Sequence, residues 1–142
     1  MQADTVFSIA NLLVMPQWLL MLIAPKWKVT QWLVRNPVIP AALAVVYVAF
    51  VASVFGVEGG GFGSLQEVKT LFSVDGAVVA GWVHYLAFDL LIGSWELKDS
   101  QSRGISHWLV IPCMLLTFMM GPVGWGLYML LRKFVKNDKT AI

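Results

Sequence analysis

His84 and Asp89 stand inside one apolar run, Asp75 to Glu96, with Glu96 at its far edge. An imidazole and a carboxyl are the pair that proton transfer uses. A neutral imidazole takes a proton near neutral pH, and a carboxyl kept protonated by an apolar site can give one. The run is long enough and apolar enough to cross a bilayer. At that depth an ionisable side chain costs at least about 2.5 kcal/mol on insertion scales, so it belongs in a protein interior or a cavity. Function is to be sought on this helix first.

Spacing limits the chemistry further. His84 and Asp89 lie about 140° apart around a helix, so they do not chelate a metal locally. The Glu-x-x-His spacing of di-iron bundles is absent. The other histidine, His107, differs in depth from His84 by roughly 18 Å in an antiparallel hairpin, too far for a shared metal or a haem clamp. A mononuclear iron site needs two histidines together. No metal and no cofactor are expected. Asp89 shares a helix face with Trp82, Tyr85 and Glu96, and His84 shares one with Gly81 and Phe88. Gly81 and Gly93 allow close approach of a neighbouring helix or a flat apolar ligand.

Counting depth along each helix puts His84 roughly 12 Å, Gln17 roughly 16 Å and Asp89 roughly 20 Å from the face bearing the termini, with Thr117 level with Asp89. A polar layer of Gln17, His84, Asp89 and Thr117 follows, with Asn11 nearer the terminal face. Plainer readings stand beside these. His84 can be a packing histidine bonded to another helix, whereas a buried carboxyl such as Asp89 needs a partner or a raised pKa. Glu96 and Asp99 read as solvated helix-end residues. Trp18, Trp82, Trp95 and Trp125 read as core and interface that can also line a channel for a polyene.

The elements that must hold these residues are set by composition. The chain has 142 residues, 58% hydrophobic and 13% charged. Soluble domains carry roughly 25% charged residues, so this is an integral membrane protein. A net charge of +2, with no basic run interleaved with aromatics, excludes a nucleic-acid partner. The single cysteine, Cys113, excludes an intrachain disulfide and reads as a small buried residue. The first residues lack the basic stretch of a secretory signal, so the first apolar segment is expected to be retained.

Four apolar segments, about 7–24, 37–56, 76–96 and 107–131, each approach the ~20 residues needed to cross a bilayer. Lipid leaves no backbone group unpaired, so each must be a helix. The expected fold is all-α: a four-helix transmembrane bundle, up-down-up-down, in one domain over residues 1–142, with both termini on one face. Between the second and third helices, Ser64 to Glu67 matches a capping box and opens an amphipathic helix, 64–73. The loop Gly56 to Gly63 before it lacks the Lys-Ser/Thr ending of a phosphate loop and reads as flexible chain. Lys26, Trp27, Lys28, Trp32 and Arg35 read as an interfacial loop, and Lys98, Asp99 and Arg103 as a polar turn. Arg132, Lys133, Lys136 and Lys139 make a basic tail. Each face carries five cations, so the positive-inside rule gives no orientation.

At these residues the chain resembles a known family. The segment Trp82-Val-His84-Tyr-Leu-Ala-Phe-Asp89-Leu-Leu is similar to the signature of the neoxanthin-synthesis, abscisic acid-deficient 4-like, membrane proteins. So are Phe7-Ser-Ile-Ala-Asn11-Leu-Leu-Val-Met-Pro16, the pair Ala24-Pro25, and Gly121-Pro122-Val123-Gly124. The likeness spans about residues 7–131. Plant members are needed to turn violaxanthin into neoxanthin in plastid membranes. The resemblance implies a carotenoid or similar apolar isoprenoid as partner and a cofactor-free isomerisation in which an epoxide opens to an allene. Many members carry a basic residue a few positions after the aspartate, where this chain has Ser94 and Trp95. No plastid transit peptide precedes the first helix, which points to a bacterial inner membrane.

That reaction assigns roles. Asp89 is the expected acid to the epoxide oxygen and His84 the base to the polyene, with Gln17 or Tyr85 orienting the substrate hydroxyl. Asn11, Trp18, Trp82 and Thr117 complete the expected substrate contacts. A carotenoid oxygenase or cleavage enzyme stays open, and would need iron or another oxidant. So does a non-catalytic carotenoid-binding or assembly subunit. A transporter fits least, because four helices without a repeat leave little room for alternating access unless the chain forms a homo-oligomer.

Overall fold

The computed structural model describes residues 2–135. They form seven helices: α1 Ala3–Ile23, α2 Lys28–Arg35, α3 Val38–Val54, α4 Leu65–Leu71, α5 Asp75–Arg103, α6 His107–Met120 and α7 Pro122–Phe134. No strand occurs among the described residues, as expected where backbone groups cannot turn to water. Lys136 and Lys139 of the basic tail lie outside the described residues.

Two helices, α1 and α5, are long and apolar enough to cross a membrane, and a third span results if α2 and α3 count together. Large apolar side chains remain exposed on the helices, among them Leu12, Val45, Leu109 and Met119, which is the surface a bilayer covers. The third expected helix, 76–96, runs on to Arg103, so Glu96 lies well inside it. The expected interfacial loop is largely helix α2, with Trp27 and Trp32 exposed and Thr30 buried. The Thr30 hydroxyl donates to the Ala24 carbonyl at 2.8 Å, and the Gln31 amide to the Pro25 carbonyl at 2.6 Å, which ties α2 to the end of α1.

The chain divides into two compact units. One holds the residues up to Val14 with Ile39–Ala87, the other Met15–Val38 with the residues from Phe88 on. In the first, Val6, Ala10, Leu43, Ala80 and Val83 are buried. Its amphipathic helix forms as expected: the Ser64 hydroxyl accepts from the Glu67 N–H at 3.2 Å. The Glu67 carboxylate, however, accepts from Gly63 N–H at 2.9 Å rather than from Ser64. A Cβ on Gly61 would meet that carboxylate at 2.5 Å, so the glycines let the loop wrap Glu67.

In the second unit the fourth expected span is not one helix. It breaks at Gly121, which ends α6 with φ 35° and precedes Pro122 at the start of α7. Glycine takes the positive φ without strain, and a proline at a helix start loses no hydrogen bond. The two pieces pack on one another. Gly124 permits this, because a Cβ there would run into the backbone N and hydroxyl of Thr117 and the Cys113 carbonyl. Contacts with α5 give the path. The Thr117 hydroxyl of α6 donates to Glu96, Gly121 lies against Asp89, and Tyr128 and Arg132 of α7 reach back to Asp99. The hairpin therefore enters beside the end of α5, turns at the level of Asp89, and returns. The all-helical expectation holds, and the up-down-up-down bundle of four crossing helices is not confirmed.

Candidate functional site

The first unit holds a cavity of about 610 Å³. Its walls come from α3 (Tyr47, Val51, Val54), the glycine-rich loop (Phe62), α4 (Leu71) with the adjoining Phe72, and α5 (Ala77, Ala80, Gly81, His84). Small residues on α5 make the room. A Cβ on Gly81 would lie 2.9 Å from the Phe72 ring, so Phe72 packs on the glycine and leaves the space beyond it open. His84 is exposed into this cavity from a helix long and apolar enough to cross a bilayer, and its ring centroid lies 5.5 Å from that of Tyr47, tilted by 58°. Tyr47 was not singled out from sequence. Its signal was there, a lone phenol in the aliphatic run of α3.

Beside the cavity residues, the same unit gathers Asn11, Trp82 and Tyr85. The Trp82 indole N–H donates to Asn11 Oδ1 at 3.1 Å, and the Asn11 amide donates to the Phe7 carbonyl at 2.7 Å. Trp82 stacks obliquely on Phe7 and on Tyr85, both at 5.3 Å between centroids. Three of the expected substrate contacts thus meet in one aromatic cluster, at residues other than those lining the cavity.

The second unit distributes the rest. Gln17 is buried, and its amide donates to the Ser94 hydroxyl at 3.0 Å, while its own Oε1 has no hydrogen-bond partner among the described residues. Trp18 is buried edge-on to Phe118 at 5.4 Å, against Gly93, where a Cβ would collide with its indole. Thr117 does not join Gln17. It donates to Glu96 Oε1 at 2.8 Å. Glu96 is fully buried, and Oε2 has no hydrogen-bond partner among the described residues, which corrects the solvated reading. Asp89 sits at the hairpin tip, its Oδ1 2.8 Å from where a Gly121 Cβ would be.

Asp99 also departs from the solvated reading. Its carboxylate accepts from Tyr128 Oη at 2.6 Å, from Arg132 at 2.9 and 3.1 Å, and from Arg103 at 3.0 Å. The Arg132 guanidinium also lies over the Trp95 ring, 5.7 Å from its centroid. The i, i+4 spacing of Tyr128 and Arg132 was the available signal, since it puts both on one helix face.

Each unit therefore offers a different chemistry. The first has an apolar cavity with an imidazole and a phenol in its wall. The second has carboxyls placed along one face of α5 and held by a helical hairpin. A protein-family model described as ABA DEFICIENT 4-like (ABA4-like) matches residues 5–128. No curated protein and no solved structure matches the chain.

Proposed function

The chain belongs to the ABA4-like family, and from that premise we propose that it binds a carotenoid or similar apolar isoprenoid and isomerises it by acid–base chemistry. An epoxy-carotenoid is the substrate class. The observation that carries this reading is the cavity of about 610 Å³, apolar except for Tyr47 and His84. Such a volume and wall suit a small-molecule site, apolar in bulk with few placed polar groups.

Opening an epoxide to an allene is balanced within one molecule. The carbon–oxygen bond next to the polyene breaks, a polyene carbon loses a proton, and the oxygen gains one to become a hydroxyl. No oxidant is consumed. His84, in the cavity wall, is the base. Asp89 is carried over as the acid and is tested by itself, because it belongs to the other unit. The protein works as an integral membrane enzyme, which its long apolar helices support.

The test is pigment analysis of carotenoid-producing cells with and without the chain. A new product of unchanged mass supports the isomerase. A heavier, oxygen-bearing product or a shortened one overturns it in favour of an oxygenase or cleavage enzyme. Pigment that co-purifies unaltered, with no new product, overturns it in favour of a binding subunit.

A further inference from the structure

We propose that Tyr47 is the specificity-determining residue of the first unit's cavity, selecting a carotenoid end ring that carries oxygen over the plain hydrocarbon. This rests on the reading that the cavity takes a carotenoid. Of the side chains that line it, only Tyr47 and His84 are polar; the rest are valine, leucine, alanine, phenylalanine and glycine. The two polar rings lie together, 5.5 Å between centroids, so the cavity has one polar place and an otherwise apolar wall. His84 alone would suffice for taking a proton from a polyene carbon. It does not explain a second polar group beside it.

The phenol supplies an O–H donor beside the imidazole, whose bare nitrogen is taken up with the polyene proton. A neutral tyrosine hydroxyl donates readily, and within an apolar site it costs free energy unless an acceptor meets it. An end ring bearing an epoxide or hydroxyl oxygen provides that acceptor. A hydrocarbon ring leaves the hydroxyl dry and unpaired. Sites built to hydrogen-bond an oxygen reject the analogue that lacks it for this reason. Tyr47 projects from α3 and His84 from α5, so the oxygen is read from one helix and the polyene from another.

The measurement is binding by the detergent-purified full chain of two probes, β-carotene and β-carotene 5,6-epoxide, which differ by one ring oxygen. The wild type is expected to prefer the epoxide about tenfold, the size of one well-made hydrogen bond. Tyr47→Phe, which removes one oxygen atom, should bind β-carotene as before and lose the preference. Val51→Ala, in the same wall, should weaken both probes alike and keep the preference.

A preference that survives in Tyr47→Phe, or a wild type that binds both probes equally, overturns the role of Tyr47 and leaves the carotenoid reading standing. Loss of both probes in Tyr47→Phe, with the variant still eluting as the wild type does, makes Tyr47 a packing residue and likewise overturns its role. A wild type that binds neither probe overturns the carotenoid reading itself.

Discussion

An imidazole and a carboxyl on one helix invite paired roles as base and acid, yet their surroundings separate them. His84 faces an apolar cavity, so its loss should be felt in chemistry more than in folding. His84→Gln keeps a polar side chain of similar reach but removes the base. Conversion should fall by about 10²–10⁴, the usual worth of a general base, with pigment still bound. Unchanged conversion would remove His84 from the mechanism. Asp89 lies against the Gly121 turn, so two outcomes separate for Asp89→Asn. If it abolishes conversion while the protein purifies as before, the acid role stands. If conversion persists, the carboxyl serves the hairpin alone. Glu96 and Thr117 are the plainest structural pair, both fully buried and joined at 2.8 Å. Thr117→Val keeps the shape and strips the donor, so it should lower stability by ~1–3 kcal/mol, while Thr117→Ser restores most of it. Thermal unfolding in detergent measures both.

At the scale of elements, the hairpin of α6 and α7 depends on one missing methyl group. A Cβ at Gly124 meets backbone atoms of α6, which cannot swing aside as a side-chain tip can. Gly124→Ala should therefore cost ~1–3 kcal/mol or open the hairpin, as overpacking does. Gly126→Ala is the matched control: nothing lies within 4 Å of its Cβ, and alanine is the better helix former. It should leave stability level or raise it slightly. If both substitutions behave alike in unfolding measurements, the close approach is wrong. The same elements show where sequence could and could not lead. The capping box at Ser64 and the apolar length of α1 and α5 were legible, because caps and hydropathy are local properties. The break was not, although Gly121-Pro122 stood in plain view. A mean over twenty residues does not register a turn, and proline inside an apolar run can equally be carried, as Pro16 is within α1. Glu96 was misread for a related reason. Helix α5 continues to Arg103, and only tertiary contacts with Thr117 reveal that its last turns are covered.

At the largest scale, the second unit turns its last helix back where a fourth crossing would run on, and that difference is testable without a ligand. Helix α6 has 14 residues, ~21 Å of rise, which matches the distance along α5 from Arg103 back to Asp89. Helix α7 then returns, since Tyr128 and Arg132 bind Asp99, near the end of α5 where α6 set out. A backbone break at membrane depth is tolerated where protein surrounds it, and Asp89 and α5 are what surround this one. The two ends of the hairpin should accordingly meet the same aqueous compartment. In a Cys113→Ala background, Ser106→Cys and Lys133→Cys place one thiol before α6 and one near the end of α7, both at exposed positions. A membrane-impermeant thiol reagent applied to one side of sealed vesicles should label both or neither. Labelling of one from outside and the other only after permeabilisation would mean that α6 and α7 cross as one span. In that case the contacts to Asp99 would be wrong, and the four-crossing arrangement read from hydropathy would stand.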